Sequence, residues 1–151
     1  MPTFEPKTPD YAQRVRASFA KQTALTSIGA ELAAIEPGEV RISLPRSERV
    51  LQQHGFVHAG IITAIVDSAC GYAALTLMPE GTGVLSVEFK VNLLAPARGE
   101  TFVAIGRVVR PGRTITICTG TVEADDGGRV REVALMQATM MGLADKPGVA
   151  D

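Results

Sequence analysis

The chain has 151 residues, 46% of them hydrophobic, which is enough for one domain with a sizeable core and too little for two, so a single domain spanning 1–151 is expected. Fifteen Lys and Arg stand against sixteen Asp and Glu, and a net charge of −1 offers no basic field to gather nucleic acid or anionic lipid. Small molecules are therefore the partners to look for. The start, Met1-Pro2-Thr3-Phe4-Glu5-Pro6, has no basic flank leading into an apolar run, and no stretch of about 18 apolar residues occurs, so a soluble, cytoplasmic protein with no membrane partner is expected.

In chain order, Thr8-Pro9-Asp10 followed by Tyr11, Val15 and Phe19 at a spacing of four reads as a capped amphipathic helix over about 8–23, packed on the outside of the fold. Two strands follow, about 30–36 and 39–44, joined by Pro37-Gly38. In the second, Val40, Ile42 and Leu44 alternate with Glu39, Arg41 and Ser43, the mark of a hairpin with one wet face. A polar connection over 45–53 leads to a Gly-rich turn and then to a helical run from Gly60 to about Leu77, apolar nearly all round and hence buried on most sides. After Met78-Pro79-Glu80-Gly81 the period becomes two, with Leu85, Val87, Phe89, Val91 and Leu93 expected on one face of a strand. Three more strands, about 100–110, 114–124 and 129–141, are separated by Pro111-Gly112 and Asp125-Asp126-Gly127-Gly128, and residues 142–151 read as a loose tail. Helix, two strands, buried helix, four strands: that order calls for an antiparallel sheet wrapped around one central helix.

The chemistry concentrates at Gln52-Gln53-His54-Gly55-Phe56-Val57-His58-Ala59-Gly60 and the carboxylate Asp67 beyond it. A turn opening into a helix leaves backbone N–H groups unpaired at a positive dipole end, suited to polarising a carbonyl. Asp67 then supplies an acid/base or nucleophilic group. The bland reading makes it a polar residue on an exposed stripe, but Ile65, Val66, Ala69 and Cys70 around it argue for a partly desolvated carboxylate, a stronger base. His54 and His58 have the spacing of a helical metal pair, yet they flank Gly55 in a turn and no third ligand is near in sequence, so no metal is expected. Cys70 and Cys118 have no zinc or disulfide spacing and read as buried thiols. Gly81-Thr82-Gly83-Val84-Leu85-Ser86 runs from helix into strand, the wrong order for a dinucleotide loop, and no Gly-Xaa-Ser-Xaa-Gly elbow exists.

Taken together these residues resemble the hotdog-fold acyl-CoA thioesterases, specifically the group related to the phenylacetate-degradation (PaaI-like) thioesterase, over about residues 30–141. The family pattern is an amide residue, a Gly, then His-Gly-Gly opening the helix and an Asp eight residues after the first of those glycines; here it reads Gln52, Gly55, His58-Ala59-Gly60 and Asp67. Ser86-Val87-Glu88-Phe89 and Ala95-Pro96-Ala97-Arg98-Gly99-Glu100 look like the family's strand with a site hydroxyl and its Pro-Ala-Xaa-Gly-Glu turn. Two departures are Gln52, where relatives carry Asn, and Ala59, where they carry Gly; a backbone N–H survives the second change wherever φ is negative. The resemblance implies an α+β hotdog fold and hydrolysis of an acyl-CoA thioester without a cofactor. Asp67 would be base or nucleophile, and the N–H of Ala59, with that of Gly60, would polarise the carbonyl. Gln52 and Ser86 would orient water or carboxylate, His58 would hold the turn, and Gly55 and Gly60 would border the substrate. Lys90, Arg98, Arg110 and Arg113 are candidate contacts for coenzyme A phosphates, with solvated strand ends as the commoner role for such residues. The alternatives are a hotdog hydratase or dehydratase and a non-catalytic acyl-CoA binding module.

One geometric consequence follows from spacing. Ala59 and Asp67 are eight residues apart, roughly 12 Å along a helix at about 1.5 Å per residue, too far to meet at one thioester. Two antiparallel copies of the helix would bring the start of one to Asp67 of the other, so a homodimer with shared sites is expected, and the resembling family adds a dimer of dimers.

Overall fold

The computed structural model describes residues 3–151. Helix α1 (Tyr11–Lys21) and a single-turn helix α2 (Thr23–Thr26) precede a hairpin of β1 (Glu31–Glu36) and β2 (Glu39–Pro45). The long helix α3 (Ala59–Leu75) follows, and then β3 (Thr82–Leu93), β4 (Thr101–Arg110), β5 (Ile115–Asp126) and β6 (Arg129–Ala144). All pairings are antiparallel, and the six strands lie in the order β1-β2-β4-β5-β6-β3. With α3 against the concave face this is the hotdog fold, as the sequence led one to expect.

Burial of α3 drives the assembly. From Ala69 to Met78 every residue is buried, and Ile62, Ile65 and Val66 extend the contact towards the helix start. In β2 the alternation is realised: Val40, Ile42 and Leu44 are fully buried against α3 while Glu39, Arg41 and Ser43 face outward. Gly106 and Gly120 are directly paired across β4 and β5. A Cβ at Gly106 would stand 2.2 Å from the Ala69 carbonyl carbon, and one at Gly120 would stand 2.4 Å from Val66 Cγ2. Two facing glycines thus let the sheet close onto the helix backbone. Cys70 and Cys118 are buried free thiols, and burial pushes Cys118 up to about 12.

Three details differ from the sequence reading. The first helix breaks at Gln22, whose backbone (φ −83°, ψ 81°) leaves the helical region and starts a separate turn. Its side chain is drawn inward instead, with Nε2 donating to the Tyr72 hydroxyl at 2.9 Å and Oε1 accepting from Ser68 at 3.0 Å. In β3 the alternation of five apolar residues is interrupted by a bulge: Ser86 pairs with Met140, Glu88 with Thr139, and Val87 is the extra residue. Ser86 therefore shares a face with Phe89, Val91 and Leu93, opposite Met140, Ala138, Met136 and Ala134, whereas Leu85 lies on the other face. Lastly, the expected loose tail is ordered. Strand β6 runs to Ala144, and a bend closed by Val149 N–H to Lys146 O (3.1 Å) returns the chain to β3, an edge strand with N–H groups to spare. Asp151 takes one of them, Val84 N–H at 3.2 Å, and also accepts from the Ser18 hydroxyl at 2.6 Å.

Candidate active site

The connection between β2 and α3 is held by its own backbone. Gly55 N–H donates to Gln52 O (3.0 Å), Gln52 N–H to Phe56 O (2.8 Å), and Gly55 takes φ +83°, which a side chain would strain. Gln52 Oε1 accepts from the His54 and Phe56 N–H groups. The Gln52 amide is thereby folded back over its own turn. Val57 N–H to Ala97 O (3.0 Å) and His58 N–H to Val50 O (2.8 Å) then fasten the loop to the Pro96 turn and to the end of the preceding segment.

His58 is the N-cap of α3, and its Nδ1 accepts the Gly60 N–H at 2.8 Å. That bond assigns the ring proton to Nε2. It also removes Gly60 N–H from the set of free donors, which narrows the expectation that both helix-end amides face substrate. Ala59 N–H has no hydrogen-bond partner among the described residues. Asp145 is the one described non-glycine residue with positive φ, so Ala59 occupies the first helical position without strain. A Cβ at Gly60 would lie 3.1 Å from His58 Nδ1, which is why the second residue of the helix stays small.

Beside this donor is a cavity of about 560 Å³, lined by Gln52, Phe56, His58, Ala59 and Ile62 on one side and by Leu93 to Ala97 with Val133 on the other. Its walls are mostly apolar. The carboxylate is elsewhere. Asp67 faces a smaller pocket of about 250 Å³ shared with Ser18, Gln22, Ser68, Tyr72, Ser86 and Asp151. The Ser86 hydroxyl donates to Asp67 Oδ1 at 2.7 Å, a contact that exists because the β3 bulge turns Ser86 inward. Burial raises the Asp67 carboxyl above the usual aspartate range, and the Ser86 hydrogen bond offsets part of that rise.

Of the residues singled out in sequence, Gln52, Gly55, His58, Ala59 and Gly60 come together at the start of α3, and Asp67 and Ser86 come together in its middle. Within one chain the two groups line separate cavities. Sequence reasoning missed Gln22, Ser68, Tyr72 and Asp151 around the carboxylate. The available signal was Ser68 beside Asp67; nothing local marked a helix-end Gln or a terminal Asp as neighbours.

Residues 54–131 match the Thioesterase superfamily, and the chain belongs to that family. It is similar to a thioesterase family protein of Silicibacter pomeroyi, with 50% identity, coverage of 89% of this chain and 98% of that one, and a TM-score of 0.87. The fold is shared with the E. coli PaaI protein from the phenylacetic acid degradation operon, at 16% identity over 89% of this chain and 94% of that one, TM-score 0.79. A 1,4-dihydroxy-2-naphthoyl-CoA hydrolase of Listeria monocytogenes is 23% identical over 91 residues, 60% of this chain and 74% of its own length. No helix among the described residues is long and apolar enough to cross a membrane.

Proposed function

We propose that the protein hydrolyses acyl-CoA thioesters at sites shared between two copies of the chain. The observation that carries this reading is the division of labour along α3: a free amide donor beside an apolar cavity at Ala59, and a desolvated, hydroxyl-supported carboxylate at Asp67 in another pocket. Neither half suffices. An electrophile polarised by Ala59 N–H needs an activated water, and Asp67 needs a substrate whose developing negative charge is held by something other than itself. A second copy with α3 antiparallel to the first supplies both at two equivalent places.

The surface of one chain supports such a partner. Strand β3 is an edge, and Leu85, Val87, Phe89 and Leu93 on it are each more than 40% exposed. An exposed apolar edge of this kind invites pairing with another strand. Along α3 the incompletely buried positions are 59, 60, 61, 63, 64, 67 and 68; apart from 61 they recur at helical spacing, so the same side of the molecule leaves a stripe of the helix uncovered.

In this mechanism the thioester carbonyl oxygen takes the Ala59 N–H, and the acyl group lies in the cavity bounded by Ile62, Leu93 and Val133. The partner's Asp67 removes a proton from water as it attacks the carbonyl carbon, and the thiolate of coenzyme A leaves. Ser86 keeps the carboxylate aimed. A direct attack by Asp67 through an anhydride uses the same groups. A hydratase reading is weaker, because His58 Nδ1 is already engaged by Gly60 and cannot also accept a substrate proton there.

The test is free-thiol release from a panel of short, medium, long and aromatic acyl-CoA thioesters by wild type and Asp67→Asn. We expect turnover of at least one thioester by wild type and a fall in kcat of about two to four powers of ten in the variant, with little change in KM. Wild-type turnover retained by Asp67→Asn would end the mechanism, and saturable binding without any thiol release would make the protein a binding module.

A further inference from the structure

Beyond β6, residues 145–151 do more than cover a strand edge. The segment meets β3 at Gly83, where a Cβ would stand 1.4 Å from Val149 O, so only a residue without a side chain admits the approach. Just past that crossing the Asp151 carboxylate joins two elements: Oδ1 accepts from Ser18 on α1 at 2.6 Å, and Oδ2 accepts from Val84 N–H on β3 at 3.2 Å. Asp151 thereby becomes a wall of the pocket that Asp67 faces.

The hydroxyl protons give that pocket a direction. Ser18 has one, and it goes to Asp151, so in the 3.4 Å contact between Ser18 Oγ and the Tyr72 hydroxyl the donor is Tyr72. The Tyr72 oxygen in turn accepts from Gln22 Nε2 at 2.9 Å, and Gln22 Oε1 accepts from Ser68 at 3.0 Å. Every bond in the series Ser68, Gln22, Tyr72, Ser18, Asp151 therefore points at the Asp151 carboxylate, and such a series strengthens as it polarises. Ser68 adjoins Asp67 in sequence, yet its hydroxyl is turned to Gln22. Among the described residues, Ser86 alone donates to the Asp67 carboxylate.

We propose that residues 145–151 are a working part of the active site: Asp151 draws the donors of the second pocket to itself and closes that pocket, so that Asp67 keeps one hydrogen bond and a dry setting. The proposal rests on the thioesterase reading above, in which Asp67 is the base, and adds a positioning residue to it. Losing the contact acts on Asp67 in three ways with one sign. The pocket opens to water, Ser68 is released to turn towards Asp67, and a negative charge leaves the pocket; each favours the ionised carboxylate. No titratable neighbour opposes this. Tyr72 and Cys70 on α3 and Cys118 on β5 have their pKa raised, chiefly by burial, and are neutral where an aspartate titrates. Strand β3 turns Ser86 to the carboxylate, while Glu88 and Lys90 lie on its outer face.

The experiment follows the Asp67 carboxyl carbon by NMR titration in wild type, Gly83→Ala and Asp151→Ala, the signal being assigned by its absence from Asp67→Asn. Profiles of kcat/KM against pH on a cleaved acyl-CoA accompany it. Gly83→Ala keeps every charge and lifts the segment off β3, and Asp151→Ala removes both acceptors at an exposed position. Expected in both variants is an Asp67 midpoint moved down towards the ordinary aspartate range, with the acid limb following to lower pH. The plateau should fall by about two- to fivefold, a weaker base being the poorer catalyst. This shift is opposite in sign to that expected on removing the Ser86 hydrogen bond. Cooperative unfolding at a lower temperature with the Asp67 midpoint unmoved overturns the proposal and leaves the segment a brace. A midpoint that rises, or one that falls in Asp151→Ala but not in folded Gly83→Ala, overturns it as well. If Gly83→Ala does not fold, Ser18→Ala, which keeps the charges and cuts the series, takes its place. If wild type cleaves no thioester, the thioesterase reading fails, and the titration still decides what residues 145–151 do to Asp67.

Discussion

The two ends of the proposed chemistry differ in nearly every physical respect although one helix carries both. At the start of α3 the useful group is a backbone amide, presented by a cap, a glycine-rich turn and a wide apolar cavity. Eight residues on, the useful group is a side chain in a narrow polar pocket, raised in pKa by burial and steadied by one hydroxyl. In the proposed reaction the first environment would take an uncharged acyl chain and favour charge only as it develops on oxygen, while burial in the second raises the carboxyl's affinity for a proton. A helix is rigid and rises by about 1.5 Å per residue, so it holds these environments roughly 12 Å apart and prevents either from quenching the other within one chain.

The sharpest way to break this pairing is to disable each end separately. Ala59→Pro deletes the free N–H at the one helical position where proline is favoured, and His58, at φ −59° and ψ 137°, already has the extended backbone that a following proline requires. Loss of one preorganised donor should lower kcat by about two to three powers of ten while thermal unfolding stays cooperative. Mixing this variant with Asp67→Asn under conditions of subunit exchange should then recover activity, up to about a quarter of wild type, since half of the exchanged dimers are mixed and each mixed dimer has one intact site. No recovery despite exchange verified by mass spectrometry would place both groups in one chain's own site.

A smaller effect probes the second pocket alone. Ser86→Ala removes the hydrogen bond that lowers the Asp67 pKa, leaving the raising effect of burial unopposed. The acid limb of the kcat/KM profile should move to higher pH and the plateau should fall by on the order of tenfold, the worth of one hydrogen bond to a charged group. An acid limb that stays in place would mean that the titrating group is not Asp67.

How much of this contrast was readable without coordinates depended on whether it was local. The helix-end half was legible, because Gly55, His58 and Gly60 lie within a span of six residues and turn chemistry is written in sequence neighbours. What the sequence did not disclose was that the His58 cap consumes the Gly60 amide, which requires a rotamer. The carboxylate half was legible only as Asp67 itself. Its setting is made by contacts across 19 to 84 positions: Ser86 through a bulge that no alternating pattern reveals, Gln22 from a broken helix, and Asp151 from a tail that folds back. The period-two rule failed in β3 for the reason that matters to the site, since an unbulged strand would have turned Ser86 outward with Glu88 and Lys90.

The smallest effect concerns stability, and its sign distinguishes a functional carboxylate from a structural one. The folded-state pKa of Asp67 is raised, so in the window between the ordinary aspartate value and the raised one the folded protein holds the proton more tightly than the unfolded chain does. Stability contributed through this group is thus complete below that window and is lost as pH rises through it, the reverse of a salt-bridged aspartate. Asp67→Asn never carries the charge, and its amide oxygen can still accept from Ser86. Urea midpoints should therefore coincide for wild type and variant well below about pH 3.9 and separate towards neutrality, with the variant the more stable of the two. If the variant is instead the weaker protein at neutral pH, the folded structure gains stability from the Asp67 charge, and the pocket is a built ion site in place of a strained base awaiting substrate.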